Sequence, residues 1–489
     1  MKLNELLAPL SLDSNTIPST EITELTENSR ACHPGALFVC IEGFRSDGHR
    51  YADDAYSRGC RAFVAQKKLS LPQDAFVFYT ENTHHALGVL ACKFYNDPSR
   101  QIPVIGITGT KGKTTVACMI REILEKNGIS CGYIGTNGVD YGTVHLETAN
   151  TTPDAVTLQS TLRQMVNSGC RAAVLEVSSQ ALMLDRVAGM EFFCVVYTNL
   201  FSDHIGEGEH RDFEDYKACK RRLFTDFGAE IMVYHGDDAH ADEFCAASSA
   251  TKKTSCALER DADYRGSSLS PMRSTHGLST EFTLLNRDDR FSCRIPLIGS
   301  GNAVNALLAI AVSKECFDIS PRDSAKALET VEIAGRSQVI TLENGGLAVI
   351  DYAHNGESLR QLLIHLRSFT PRRLICLFGS VGERTELRRR ELGMAAAEHA
   401  DLCIITSDNP GKEDPQKIMD EIATVISAYQ TPYRCIVDRE KAIHYAVEIM
   451  ESGDILVLAG KGHETYQLID GERIPFSERE ILQSKLLHF

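Results

Sequence analysis

The stretch Ile102-Pro103-Val104-Ile105-Gly106-Ile107-Thr108-Gly109-Thr110-Lys111-Gly112-Lys113-Thr114-Thr115 narrows the folds open to this chain more than any other feature. An apolar run of strand length ends in a Gly/Thr/Lys loop. A helical pattern follows at once, with Val116, Ile120, Ile123 and Leu124 on one face and Asn127-Gly128 as its stop. Strand, glycine loop and helix in that order form the device that holds phosphates. Glycines let backbone N–H groups close on the oxygens, and the helix N-terminus adds its positive end. The spacing therefore predicts nucleotide binding by Gly109, Thr110, Lys111, Gly112, Lys113, Thr114 and Thr115. Lys113 is expected to reach the outer phosphates and the Thr114 hydroxyl to ligate Mg²⁺. Ile107 stands where the longer G-x-x-x-x-G-K-[ST] pattern has its first glycine, so only the shorter form is present. The competing reading is an ordinary βα turn that carries basic residues.

At 489 residues the chain exceeds one hydrophobic core, and about three domains are expected. Fifty-one Lys and Arg against 66 Asp and Glu give a net charge of −15, and no basic run occurs. That balance argues against nucleic acid or an anionic membrane as partner and leaves room for a local cationic pocket. No signal-peptide pattern opens the sequence and no apolar run approaches membrane-spanning length, so no membrane insertion is expected. Sixteen cysteines without a C-x-x-C pair read as reduced, mostly buried thiols of a cytoplasmic protein.

The first unit, residues 1–98, alternates short β-rich runs with helical stretches and carries the polar turn Asn28-Ser29-Arg30 and the loop 43–49. Residues 96–100 read as the linker into a second unit, 99–331, which opens with the phosphate loop. Thr151-Thr152-Pro153-Asp154 makes a polar turn before a helix. The apolar run Ala172–Val177 then closes on Glu176 and Ser178-Ser179, and Phe193–Asn199 runs toward Asp203-His204. Strands apolar on both faces belong in a parallel sheet covered by helices, where ligands gather at the carboxyl ends. Glu176 and His204 would then share an edge with the loop; singly, each reads as well as a helix-capping partner or a core histidine. Residues 230–300 loosen into polar segments with no legible role. Gly299–Asn305 precedes a helix at 306–313, where helix capping accounts equally for Asn302 and Asn305. The third unit, 332–489, repeats the βα logic: four strands run into Asp351–His354, Gly379–Arg384, Ser407–Pro410 and Gly460–Glu464. Such strand ends predict a second site, although any Rossmann-like domain has polar strand ends.

With these residues in view the chain resembles, over essentially its whole length, the Mur ligases. These are the ATP-dependent amide-forming enzymes of peptidoglycan precursor synthesis, and the likeness is greatest to their tripeptide-synthetase (MurE) branch. The loop 109–115 matches the family's short P-loop, Asn28-Ser29-Arg30 its Asp-Ser-Arg turn for the UDP-sugar, and Glu176-Val-Ser-Ser179 its magnesium-binding strand end. Thr198-Asn199-Leu200 with Asp203-His204, Gly335-Arg336 and Asp351-Tyr-Ala-His354 match further motifs. The resemblance implies an α/β fold of three domains. The centre is a P-loop-type parallel-sheet ATPase domain, the C-terminal domain is Rossmann-like, and the N-terminal α/β domain is smaller.

It implies ATP contacts at Asn302, Arg336, Asp351 and His354 beside the loop, with Mg²⁺ on Thr114, Glu176, His204 and a carbamylated Lys220. Lys113, Lys220, His204 and Glu176 are thereby the implied catalytic residues. Ser29, Thr151, Thr152, Ser178 and Arg186 would hold the UDP-muramyl-dipeptide. Arg384, Asp408, Asn409, Gly460 and Glu464 would receive a diamino acid. The implied reaction adds a third residue, meso-diaminopimelate, to UDP-N-acetylmuramoyl-L-alanyl-D-glutamate through an acyl phosphate, in a monomer whose partners are small molecules. L-lysine or another diamino acid is the runner-up. A folylpolyglutamate-synthetase-like ligase and a non-catalytic nucleotide-binding paralogue are rivals. The departures concern the amino acid. Gly411 replaces an arginine that grips the distal carboxylate, and Lys412 cannot copy its bidentate fork. Gln180, Leu184, Asn355-Gly356 and Glu383 also differ from the family's usual residues.

Overall fold

The structure, a computed structural model, describes residues 1–10, 19–43, 46–203, 205–206, 209–274, 277–287, 289–383 and 386–486. The chain forms two compact units, Met1–Arg265 with Leu307–Ser324 and Gly266–Ala306 with Ala325–Phe489. The expectations for Phe44 and Arg45, His204, and Arg384 fall outside the described residues.

Two sheets build the first unit. A small parallel one has the order β1 (Glu24–Thr26), β2 (Ala36–Val39), β3 (Ala62–Ala65), β4 (Phe76–Tyr79). Apolar clusters lie on both its faces, around Leu37 and Val39 on one and Phe38 and Phe63 on the other. The larger sheet contains β5 (Val104–Thr108), β6 (Cys131–Gly135), β7 (Gly138–Tyr141), β8 (Val144–Leu146), β9 (Ala172–Glu176), β10 (Cys194–Tyr197), β11 (Ile231–His235) and β12 (Lys252–Ala257). Their order is β12-β11-β10-β5-β9-β6-β7-β8. Every residue of β5, β6, β9 and β10 is buried, the sequence signature of strands covered on both faces. After β5 the chain lays β6 and β9 on one side and β10 on the other, so the order reverses at β5. Ligand crevices open at such reversals, beyond the strands' carboxyl ends. The register puts Ile107 beside Glu176 and Thr108 beside Tyr197, so three strands finish on one line.

After β13 (Tyr264–Ser274), β14 (Gly277–Asn286) and β15 (Arg290–Ile295), six strands form a sheet in the second unit. They are β16 (Gln338–Thr341), β17 (Leu347–Asp351), β18 (Leu374–Phe378), β19 (Leu402–Ile405), β20 (Tyr433–Cys435) and β21 (Ile455–Ala459), and only β16 is antiparallel. β21, last in sequence, lies between β17 and β18, which brings Asp351, Gly379, Asp408 and Gly460 to one sheet edge. Apolar clusters pack on both faces, among them Leu359, Leu363 and Ile422 on one and Ile443, Ala446 and Leu482 on the other. Each fully buried aliphatic side chain contributes about 1.5–3 kcal/mol, so the two layers dominate the unit's stability.

The described residues of 230–300 form strands and one short helix, Ala241–Ala247, rather than loose polar segments. A long antiparallel hairpin, Gly277–Asn286 with Arg290–Ile295, lies in the second unit. The helix expected at 306–313 runs from Ser300 to Phe317 and takes in Asn302. Among the described residues no helix is long and apolar enough to cross a membrane.

Candidate active site

The phosphate loop leaves β5 and turns into the helix Lys113–Lys126, whose first N–H groups have no acceptor within the helix. Two glycines make the turn. Gly112 takes φ +86°, and at Gly109 a Cβ would fall 1.9 Å from Thr198 Oγ1. The loop is clamped to the end of β10. Thr110 N donates to the Asn199 carbonyl (2.9 Å), Lys111 N to Asn199 Oδ1 (2.9 Å) and Thr198 Oγ1 to the Lys111 carbonyl (2.7 Å). Tyr216 donates its hydroxyl proton to Thr110 Oγ1 (3.2 Å), tying in the helix Phe213–Thr225. A loop pinned this way is ordered before any ligand arrives, which lowers the entropic cost of binding.

Lys113 Nζ donates to the carbonyls of Gly109 (2.9 Å) and Thr110 (3.2 Å). Lys220, from the helix Phe213–Thr225, is fully buried and donates to the same Gly109 carbonyl at 2.8 Å, its Nζ 4.6 Å from the Tyr216 ring centre. Burial, with Lys113 repulsion as the next cause, pushes the Lys220 amine well below the ordinary lysine range.

Glu176, at the end of β9, is a fully buried carboxylate. Its Oε2 accepts from Thr114 Oγ1 (3.0 Å) and Thr136 Oγ1 (3.1 Å), its Oε1 from Tyr133 OH (2.7 Å) and Thr136 N (3.0 Å). Burial holds the Tyr133 phenol far above its ordinary range, with the Glu176 charge as the second cause, so it remains a donor. At Gly135 a Cβ would lie 2.2 Å from Glu176 Oε1, so a side chain there would displace the carboxylate. Sequence reasoning missed Tyr133, Thr136 and Gly135, which sit on the neighbouring strand and turn without a local motif.

A cavity of about 300 Å³ adjoins this arrangement, lined by Lys113, Lys220, Thr151, Ser178, Arg186 and His210 among others. Thr152 is buried beneath it and acts as a support. Its hydroxyl donates to the Glu176 carbonyl (2.8 Å) and accepts from Ser178 N (3.1 Å), while its carbonyl accepts from Arg186 Nη1 (2.7 Å). Ser178 caps the helix Ser179–Met183. Thr151 reaches Thr136 hydroxyl to hydroxyl at 3.1 Å. Ser29, in the turn Ser29–Ala31, is buried, and two residues before it burial, followed by the Asp154 charge, pushes the Glu27 carboxyl up against the opposing pull of Arg186. His210, nearly buried and 5.2 Å from the Tyr216 ring, was missed because only its place in the fold singles it out.

The second unit holds a separate group of the expected residues. The Arg336 guanidinium lies 5.0 Å from the Tyr352 ring centre, and Asp351 Oδ2 accepts from Ser337 N at 2.7 Å. Burial pushes the Asp351 carboxyl up, opposed first by Arg336. His354 pairs through Nδ1 with the Tyr352 carbonyl (2.9 Å), and Gly460 N donates to the Asp351 carbonyl (3.1 Å). Asn302 reaches back to the Ile298 carbonyl (2.8 Å) and accepts from Asn305 Nδ2 (3.1 Å). Beside Gly460, Asp408, Asn409 and Glu464 converge on the fully buried Lys461, and burial pushes the Asp408 carboxyl up. Beneath them Arg439 and Glu478, both fully buried, pair at 2.9 Å. Arg439 also donates to the carbonyls of Ser407 (3.2 Å) and Ala459 (2.8 Å), the residues before Asp408 and Gly460.

A glycine loop opening a helix, a buried carboxylate facing the helix's first threonine, and a Rossmann-like sheet with its own polar edge define a P-loop-type α/β protein with two chemical centres. Sequence profiles narrow that class. The Mur ligase family catalytic domain matches residues 21–95, the Mur ligase middle domain 107–313, and the Mur ligase glutamate ligase domain 335–462. Relatives match along the whole chain. The UDP-N-acetylmuramoyl-L-alanyl-D-glutamate–2,6-diaminopimelate ligase of Syntrophomonas wolfei is 35% identical over 487 residues, 98% of each chain. The protein of that name from Chlorobaculum tepidum is 38% identical over 476 residues, covering 95% of this chain and 92% of its own. A solved structure of a ligase of the same name superposes with a TM-score of 0.72 at 28% identity over 99% of both chains. The chain belongs to the Mur ligase family.

Proposed function

We propose that this protein is the ATP-dependent ligase that joins meso-diaminopimelate to UDP-N-acetylmuramoyl-L-alanyl-D-glutamate. The observation that carries this reading is the cradle itself, with Thr114 and Glu176 in contact behind Lys113 and a buried Lys220. The name borne by relatives of full length supports the choice of substrates. Family membership also supports three domains at 1–98, 99–331 and 332–489, close to the matched segments 21–95, 107–313 and 335–462.

A carboxylate oxygen is a poor leaving group, so an amide cannot form from it directly. In the proposed reaction the acceptor carboxylate attacks the γ-phosphorus of ATP, ADP departs, and an acyl phosphate forms. The amine then attacks the acyl carbon and phosphate leaves. Two anions meet in the first step, and Lys113 with the first-turn amides would screen the developing charge. The site suits Mg²⁺: among the described residues no three His, Cys, Asp or Glu side chains cluster, but Thr114 Oγ1 and Glu176 Oε2 offer adjoining hard oxygen donors. When bound, that ion would neutralise phosphate charge. Lys220 suits carbamylation because only a neutral amine adds CO₂, giving an N-carboxylate and a proton, and its surroundings favour the neutral form. The carbamate would add an anionic oxygen donor, with His204 as the other donor the family implies.

Arg186 and Ser178, on the cavity wall, would orient the acceptor; Arg336, Asp351, His354 and Asn302 would contact ATP. Asp408, Asn409, Gly460 and Glu464, with Arg384, would receive the diamino acid. One observation favours L-lysine as a second reading. Gly411 takes φ +62°, and a Cβ there would lie 2.8 Å from Glu383 Oε2, so the position holds no cation and faces a carboxylate. Lys412 is exposed. Phosphate release measured with ATP, Mg²⁺ and UDP-muramyl-dipeptide across a panel of amino acids decides. Release with meso-diaminopimelate is expected, release with lysine alone selects the second reading, and release with none overturns both.

A further inference from the structure

Lys461 follows β21 between two glycines in left-handed conformations, Gly460 at φ +108° and Gly462 at φ +55°. Its side chain is fully buried. A lysine ammonium has three protons to place and tolerates burial only when acceptors take them. Here Nζ donates to Asn409 Oδ1 at 2.8 Å and to Glu464 Oε2 at 2.7 Å, with Asp408 Oδ1 at 3.9 Å. Asn409 Oδ1 also accepts from Leu468 N (3.0 Å), so both its lone pairs are taken and the amide cannot flip. The fixed amide directs Nδ2 onto Glu464 Oε2 at 2.9 Å. That one oxygen therefore receives two donors, and among the described residues Oε1 receives none, so it is left to accept from a ligand. Two carboxylates, Asp408 and Glu464, face this ammonium, and Arg439, itself paired with Glu478, adds its positive charge on Asp408.

We propose that Lys461 is the positioning residue of the amino-acid site: it locks Asn409 and Glu464 so that Glu464 Oε1 accepts an ammonium of the incoming diamino acid. The inference rests on the reading of the chain as an amide ligase. Lys461 touches no reacting atom. Its effect falls on the affinity for the amine and not on activation of the carboxylate.

The test uses the full chain with Lys461→Met and Lys461→Arg. Two reactions are followed: phosphate release with the amino acid varied, and hydroxylamine trapping of the acyl phosphate with no amino acid present. Lys461→Met is expected to raise KM for the amino acid about 30-fold, the effect of one lost charged hydrogen bond. KM for ATP and for UDP-muramyl-dipeptide, and the hydroxamate rate, should stay within about twofold of wild type. Lys461→Arg keeps the charge, but its longer planar fork cannot reproduce the two bonds in a closed site, so it should fold and raise the same KM by about tenfold. An unchanged amino-acid KM in a folded variant overturns the proposal, as does a parallel loss of hydroxamate formation, which would mark a purely structural residue. If Lys461→Met does not fold, Lys461→Arg decides by the same criteria. Wild type that traps no hydroxamate refutes the ligase reading itself, whatever the variants do.

Discussion

The two chemical centres solve opposite problems. In the first unit, the cradle sets two lysines on one backbone carbonyl and holds its buried carboxylate, Glu176, among neutral donors. Lys113 and Lys220 both donate to the Gly109 carbonyl, and burial with mutual repulsion drives the Lys220 amine toward neutrality. In the second unit the charges answer one another: Arg439 meets Glu478, and Lys461 meets Glu464 and Asp408. The first arrangement brings two amines close together, a repulsion that a bound anion relieves and that suits a triphosphate site. The second is nearly complete without a ligand and accepts only a group that fits the remaining acceptor, which suits selection among amines.

The contrast breaks most easily at Lys113. Lys113→Ala should lower turnover about 1,000-fold, the scale of losing a transition-state charge donor, and leave the melting temperature nearly unchanged, because the side chain is partly exposed and its bonds to the Gly109 and Thr110 carbonyls stay within the loop. Phosphate release and a thermal melt on one preparation check both halves. The opposite pattern is expected at Arg439. Arg439→Met strands Glu478 without its partner and should cost about 3–5 kcal/mol of stability, read by urea unfolding.

Lys220 sharpens the comparison through pH. Its folded value lies below the ordinary one near 10.4, so the unfolded chain binds the proton more readily. Stability from this group is fully present above the unfolded value and declines as pH falls through the window down to the depressed one. At pH 8 the bare amine thus destabilises the fold, and carbamylation should relieve it. Added bicarbonate should raise the melting temperature of wild type by about 2 °C, and that of Lys220→Met not at all. An equal response in both would remove the carbamate from the account.

The centres also differ in how far they could be read beforehand. The cradle's loop was legible because fourteen contiguous residues carry strand, turn and helix signals together. Glu176 was legible because a carboxylate ends an apolar run. Tyr133, Thr136 and Gly135 were not, since their roles arise from the placement of β6 beside β9, which no local pattern announces. Lys461 lay in plain view within Gly-Lys-Gly-His-Glu, yet sequence cannot tell an exposed lysine from a buried internal counter-ion. The strands between 230 and 300 were missed for a different reason. In Gly277–Asn286, Ser279, Thr280 and Thr283 interrupt the apolar alternation, yet Ser279 and Thr280 are buried, with the Thr280 hydroxyl bonded to the Leu297 carbonyl. Polar residues satisfied inside a hairpin look, in one dimension, like a solvated loop.

The smallest expected effect tests whether the buried carboxylate needs its whole set of donors. Tyr133 gives Glu176 one bond at 2.7 Å and receives one from Asn137 N at 3.1 Å. Tyr133→Phe removes a single hydroxyl from a buried site, leaving Glu176 Oε1 with the Thr136 amide alone. A hydrogen bond to a charged group contributes about 1.5–3 kcal/mol, but the remaining donors keep the carboxylate in place, so only part of that should appear in catalysis. Turnover should fall about tenfold at saturating Mg²⁺, and the Mg²⁺ concentration giving half-maximal rate should shift, while KM for the amino acid does not. A shift in the amino-acid KM instead would mean that the cradle and the amine site are not the independent devices their charge patterns describe.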